Sequence, residues 1–317
     1  RPAKIRDDIT IGPCGIQRAT AASVWAGSCA RMCSARASKA SMSCSAATEA
    51  QPLEQRLEQP TPIDYVALGD SAAAGPLIPD SAGTPGCLRS NSNYPHVLSG
   101  LIETASFVDV SCSSARSEHV TSVEQPTGSG PVPLQIDALS PETDLVTITI
   151  GGNDVELVST ARNCINFSAE PVGVSCADTL TAGGTDIVAE AIDAAAPRWG
   201  EVFAAIGERA PNAEVLVVGY GTYVQPGGCY GTQPVWARDA DYLQASVDKM
   251  NDALAREAEE HGARFVDVRE ISIGHDGCAE PAERYLEGVI PANPAAPLHP
   301  TAAGMAAFAQ EIAASLN

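Results

Sequence analysis

Lysine is almost missing from this 317-residue chain: there are three, at Lys4, Lys39 and Lys249. Acidic residues outnumber basic ones 39 to 19, for a formal charge of −20. Such a charge repels nucleic acid and anionic membrane surfaces, which excludes both as main partners. Long apolar runs are also lacking, and nothing approaches the roughly 20 residues of a membrane-spanning helix. No G-x-x-x-x-G-K-[ST] loop, no G-x-G-x-x-G after a strand and no H-E-x-x-H occurs, so neither a nucleotide cofactor nor a metal is expected. Aromatics make up only 5%, which leaves no evident stacking platform for a sugar polymer. What remains is ample for a core, because 44% of the residues are hydrophobic.

The charge and the cysteines divide the chain. Residues 1–60 carry 8 Lys+Arg and 5 Asp+Glu, a net +3, which leaves −23 for residues 61–317. Residues 1–61 are rich in Ala, Ser and Arg, lack a sustained period and end in a Pro/Gln-rich stretch; they read as a poorly ordered leader and linker before a domain over 62–317. Cys14, Cys29, Cys33 and Cys44 lie in the leader, and no reading of their pairing follows. Cys87, Cys112, Cys164, Cys176, Cys229 and Cys278 lie in the body without a C-x-x-C pair, which favours a disulfide framework in an oxidising compartment over zinc or redox chemistry. Their spacing leaves 15 pairings open.

Hydrophobic patterning predicts strands at about 63–68, 106–111, 144–150, 213–219 and 263–268. Helical periods fall near 93–103, 184–209, 238–261 and 301–316. Strands alternating with helices imply a parallel sheet covered on both faces, with chemistry beyond the carboxyl ends of the strands. Two such ends carry suitable residues. The first strand runs into Gly69-Asp70-Ser71, where a serine at a strand-to-helix turn can present its hydroxyl, although Ala73 breaks the G-x-S-x-G elbow. The third runs into Gly151-Gly-Asn153-Asp154, where Asn153 can aim an amide N–H₂ into the same crevice. Taken alone, each is as well explained by a helix cap or an Asn-rich turn.

A serine nucleophile needs a base, and there are five histidines. His96 and His119 read as packing or loop residues, His261 as a helix C-terminal residue, and His275 as part of a loop beside Cys278. His299, in Leu298-His-Pro-Thr at the start of the terminal helix, is the best candidate.

Together, Gly69-Asp-Ser71, Gly-Gly-Asn153-Asp and His299-Pro resemble the GDSL or SGNH hydrolases over about residues 62–317. The positions of Cys87, Ser-Cys112-Ser-Ser-Ala115, Cys164/Cys176, Gly-Gly-Cys229 and Gly-His-Asp-Gly-Cys278 narrow the resemblance to the secreted actinobacterial esterase/lipase branch. It implies a three-layer α/β/α fold with a central five-stranded parallel sheet. It also implies disulfides Cys87–Cys112, Cys164–Cys176 and Cys229–Cys278. By the same resemblance Ser71 is the nucleophile and His299 the base, with an oxyanion hole from the Ser71 N–H, the Ser114 N–H and the Asn153 side chain.

Two departures stand out. Ser114 occupies a position where the family has glycine, and a backbone needing φ > 0 there would strain it and misplace its donor. The family's Asp in D-x-x-H is Ala296 here, and no carboxylate lies between Glu287 and His299. The expectation is a Ser–His dyad in which the Ala296 carbonyl accepts the imidazole N–H; the rival is a distant carboxylate, Asp276 or Glu287. The function expected is a secreted, monomeric ester hydrolase acting on short to medium acyl esters or lipids, without cofactor or stable membrane insertion. The alternatives are removal of acetyl groups from polysaccharide and a non-catalytic binding domain on the same fold.

Overall fold

The computed structural model describes residues 62–316, so the expected leader and its four cysteines lie outside the described residues. Five parallel strands form the central sheet: β1 (Ile63–Gly69), β2 (Thr104–Asp109), β3 (Leu145–Thr149), β4 (Glu214–Val218) and β5 (Arg264–Val266), in spatial order β2-β1-β3-β4-β5. Two small antiparallel hairpins, 81–90 and 125–132, lie outside it. The helices are α1 (Ser71–Ala74), α2 (Tyr94–Leu101), α3 (Ser117–Thr121), α4 (Leu157–Asn163), α5 (Cys176–Leu180), α6 (Ile187–Arg209), α7 (Ala237–Glu260), α8 (Arg269–Ser272) and α9 (Ala302–Ser315).

Strand period decides which helix meets which face. Val66 and Leu68 of β1, Val146 and Ile148 of β3, and Val215 and Val217 of β4 point into one core, shared with Trp199, Phe203 and Ile206 of α6 and Met250 and Leu254 of α7. Their neighbours Tyr65, Ala67, Leu145, Leu216 and Val218 point the other way, onto Leu98 of α2 and Met305, Phe308 and Ile312 of α9. Both faces are therefore apolar, as an internal parallel sheet requires. The alternation tolerates polar residues only where they pair: Thr147 and Thr149, both buried, meet the hydroxyls of Tyr65 and Tyr94 at 2.7 and 3.0 Å. The result is the α/β/α sandwich expected. Among the described residues no helix is long and apolar enough to cross a membrane.

The three disulfides form as the resemblance implied, closing separations of 25, 12 and 49 residues. On loop-entropy grounds each stabilises the fold by about 3–4 kcal/mol. Two of them lie in segments that follow strand ends: Cys87–Cys112 joins the segment after β1 to that after β2, and Cys164–Cys176 closes a loop after β3.

Candidate active site

The carboxyl ends of four neighbouring strands deliver the polar groups of one cleft. β1 ends at Gly69, which must be glycine: its φ is +137°, and a Cβ would stand 2.6 Å from the Thr149 carbonyl oxygen. The Gln135 side chain grips this residue from both sides, accepting from its N–H at 2.7 Å and donating to its carbonyl at 2.9 Å. Asp70 follows, buried, and caps α1 by accepting the Ala72 N–H at 2.8 Å. Ser71 then occupies the first position of α1, and its own N–H donates to no protein acceptor among the described residues.

His299 meets this serine, with Nε2 at 2.7 Å from the Ser71 Oγ. Its Nδ1 lies 2.8 Å from the Pro297 carbonyl oxygen. A carbonyl can only accept, so Nδ1 carries the proton and Nε2 presents its lone pair to the serine hydroxyl. This corrects the expectation for Ala296. The supporting carbonyl belongs to Pro297, two residues before the histidine, because Leu298 at φ +63° turns the chain back on itself. Ala296 instead donates its N–H to the Pro76 carbonyl at 3.0 Å. Burial is the main cause that lowers the pKa of His299 below its usual value; the Pro297 bond partly offsets this, and the nearby Arg162 charge adds to it.

Neither rival carboxylate is the partner of Nδ1. Glu287 is fully buried and holds the loop that carries the histidine: it takes Arg284 at 2.9 Å, the Ala292 and Asn293 N–H groups at 2.9 Å each, and the Asn293 amide at 2.6 Å. Asp276 accepts the Cys278 N–H at 2.8 Å. The other histidines are engaged elsewhere. His275 bonds to the Glu283 carbonyl and stacks on Tyr285, His261 bonds to the Glu257 carbonyl, His119 accepts the Arg116 N–H, and His96 pairs with Asn93.

Besides the Ser71 N–H, the expected oxyanion donors come from beyond the ends of β2 and β3. Asn153 gives one amide proton to the Ala115 carbonyl at 2.9 Å, which fixes the side chain and leaves its second proton for the cleft. Asp154 ties the two loops together, accepting the Ser117 N–H and hydroxyl at 3.1 and 2.6 Å and the Trp199 indole N–H at 3.0 Å. Ser114 has φ +68°, the left-handed conformation a glycine would hold without cost, and its N–H has no protein acceptor among the described residues. The strain foreseen at this position is thus present, at about 1–2 kcal/mol for an L residue; the misplacement foreseen with it does not follow, because the serine holds the same backbone conformation that a glycine would.

Sequence reasoning missed the group that joins the first and third of these loops. Tyr220, just past β4 and buried, donates its hydroxyl to Asp70 at 2.6 Å and accepts the Gly152 N–H at 2.9 Å. Burial raises the Asp70 pKa to about 7, against the lowering effect of Tyr220 and the Ala72 N–H. Nothing in the sequence around Tyr220 points to Asp70, 150 residues away. Also missed was α4, which faces the cleft with Leu157, Val158 and Ala161; it is too short to display a period. With Tyr223, Val224, Leu243 and Val247 these residues wall a mainly apolar cleft against Ser71, Asn153 and His299.

The sequence profile of the GDSL-like Lipase/Acylhydrolase family matches residues 67–307. Lipase 2 of Streptomyces coelicolor is 37% identical over 252 residues, covering 78% of this chain and 83% of that protein. The crystal structure of an extracellular lipase from Streptomyces rimosus superposes with a TM-score of 0.64 at 28% identity, covering 80% of this chain and 99% of that one. Phospholipase A1 from Streptomyces albidoflavus shares the fold with a TM-score of 0.67 at 24% identity, over 80% of this chain and 99% of that one.

Proposed function

The chain belongs to the GDSL-like lipase/acylhydrolase family and is a carboxylic ester hydrolase, and on that premise we propose that it cleaves esters through an acyl-enzyme on Ser71 with His299 as its only side-chain partner. The observation that carries this reading is the 2.7 Å contact between His299 Nε2 and Ser71 Oγ at the wall of an apolar cleft. In the first half-reaction, Nε2 takes the hydroxyl proton as Oγ attacks the ester carbonyl carbon. The Ser71 and Ser114 N–H groups and the free amide proton of Asn153 receive the developing oxyanion. The imidazolium then protonates the departing alcohol, leaving the acyl group on Ser71. Water attacks that ester with Nε2 again as base, the imidazolium passes the proton to Ser71 Oγ as the acyl bond breaks, and the acid leaves. The Pro297 carbonyl holds the tautomer throughout and offers the imidazolium a dipole in place of a carboxylate.

The walls favour acyl chains. Leu157, Val158, Leu243 and Val247 offer apolar contact and no array of hydrogen-bonding groups for a sugar, which supports short to medium acyl esters or lipids over polysaccharide acetyl groups. Three disulfides and an acidic body support action outside the cell. Hydrolysis of a nitrophenyl ester series tests the reading. Ser71→Ala should lose about 10⁴-fold or more in kcat, and kcat/KM should rise from acetyl towards medium chains. Undiminished activity in Ser71→Ala would remove the serine from the mechanism, whereas a steep acetyl preference would favour the polysaccharide substrate.

A further inference from the structure

The segment 165–175 between the cysteines of one disulfide combines two properties that rarely meet. Its backbone is fixed. Cys164–Cys176 closes it, the Asn166 N–H donates to Pro234 at 2.7 Å, the Asn166 amide donates to the Val174 carbonyl at 2.9 Å, and the Trp236 indole donates to Ser168 at 2.9 Å. Ser175, at its end, donates its hydroxyl to buried Asp239 at 2.6 Å. Yet three of its four large apolar side chains face water: Phe167 is 83% exposed, Val172 67% and Val174 69%, while Ile165 is half-buried. A loop already held by its backbone gains nothing in the fold from presenting them outward.

Place and charge identify what would cover them. The segment continues directly from α4, whose Leu157, Val158 and Ala161 wall the catalytic cleft. Leu77, 63% exposed, adjoins the histidine loop through the Pro76 carbonyl, which accepts the Ala296 N–H. Apolar side chains thus extend outward from two of the elements that build the cleft. The one charged residue of the segment, Glu170, is paired with Arg238, which also takes Asp178 at 3.0 Å. The chain around it is strongly acidic, so an anionic surface is repelled while an uncharged or zwitterionic one is not.

We propose that Phe167, Val172 and Val174 form a docking surface for a neutral acyl-lipid aggregate, seating the chain on the lipid–water interface with the cleft beside it. This deepens the ester-hydrolase reading and rests on it for the meaning of the docking, though not for the docking itself. The side chains enter the acyl boundary as they stand, with no lid to open, because the disulfide and the backbone bonds already hold them outward.

The test measures binding and hydrolysis separately. Binding to zwitterionic phosphatidylcholine vesicles is followed by sedimentation, with Ser71→Ala as the parent so that the vesicles stay intact. The triple variant Phe167→Ser/Val172→Ser/Val174→Ser on that parent should bind about tenfold more weakly or worse, and mixing anionic phosphatidylglycerol into the vesicles should weaken binding of the parent. With Ser71 restored, the triple variant should keep its kcat/KM on a dissolved nitrophenyl ester within about twofold and lose activity on emulsified substrate. The retained activity on the dissolved ester reports that the variant is folded. Equal vesicle binding by parent and triple variant would overturn the proposal, and so would no binding by the parent. A parent that sediments as a dimer, dispersed by the triple variant, would assign the patch to a second copy of the chain and overturn it as well. If wild type hydrolysed no ester while docking persisted, the hydrolase reading would fail and the docking surface would stand.

Discussion

The two halves of the catalytic pair are held by opposite means. Ser71 sits on a turn that the sheet itself determines: Gly69 fits only as glycine, Gln135 clasps its backbone, and Asp70 is locked to Tyr220. His299 sits on a loop between β5 and α9, its Nδ1 bonded to the Pro297 carbonyl and its own carbonyl accepting the Glu287 N–H. That loop gathers round one buried carboxylate, Glu287, which takes Arg284 and three N–H donors of Ala292 and Asn293. Main-chain bonds add to it, from Ala296 to Pro76 at 3.0 Å and from Leu298 to Gly288 at 3.1 Å. The serine half is fixed by several contacts of similar weight, the histidine half by loop bonds centred on one buried ion. Losing that ion should therefore cost more than losing any one support on the serine side.

Glu287→Ala is the severest way to probe that contrast. It leaves the Arg284 guanidinium buried without its anion, at a cost of about 3–5 kcal/mol, and it frees the loop that fixes Nδ1. A thermal melt should register a fall of this size, and kcat should fall with it; a variant as stable as wild type would refute Glu287 as the chief anchor of the loop. A replacement on the serine side should be milder. Tyr220→Phe orphans the Asp70 carboxyl oxygen and the Gly152 N–H at a combined cost of about 2–4 kcal/mol, but Gln135 and the Ala72 N–H remain. Stability should drop measurably, and the residual activity should exceed that of Glu287→Ala. The reverse order would break the comparison.

Acidity distinguishes the halves by sign. Burial raises Asp70 to about 7 and lowers His299 below 6.5, so the cleft favours the neutral form of each. Because native Asp70 binds its proton more tightly than the unfolded chain does, its contribution to stability is lost as pH rises from about 4 to about 7. Native His299 binds its proton less tightly, so its contribution is lost as pH falls from 6.5 towards its own lowered value. Catalysis needs the neutral imidazole, and kcat/KM should fall on acidification with a midpoint below 6.5. A midpoint at or above 6.5 would place His299 in a solvated or anion-paired site. The smallest effect concerns the oxyanion loop. Ser114→Gly should relieve the left-handed strain and raise stability by about 0.5 kcal/mol after the entropy of glycine is subtracted, with activity held or slightly increased. Destabilisation in a denaturant titration would show that the serine side chain contributes a contact.

Much of the architecture was legible because it rests on period. The five strands and the helices α2, α6, α7 and α9 lie within a few residues of the ranges read from apolar spacing. The short helices α3, α4, α5 and α8 were not legible, since one or two turns give no period to count. In the site, the order of Ser71, Asn153 and His299 along the chain carried the reading. What escaped it was written in backbone geometry or across distance. The carbonyl on Nδ1 has no side-chain signature, so Pro297 and Ala296 are indistinguishable until Leu298 is seen to turn at φ +63°. Tyr220 is one aromatic at a strand end until the fold brings it to Asp70.

The pair Ser71–His299 spans 228 residues, joining the first strand of the sheet to the loop before the last helix. In a chain that emerges from its N-terminus, the base is made long after the nucleophile. The α9 helix must seat against α2 and the sheet before the loop that precedes it can bring Nε2 to Oγ. A chain made only as far as the sheet therefore holds an inert serine, and the onset of ester hydrolysis during refolding clocks the arrival of α9.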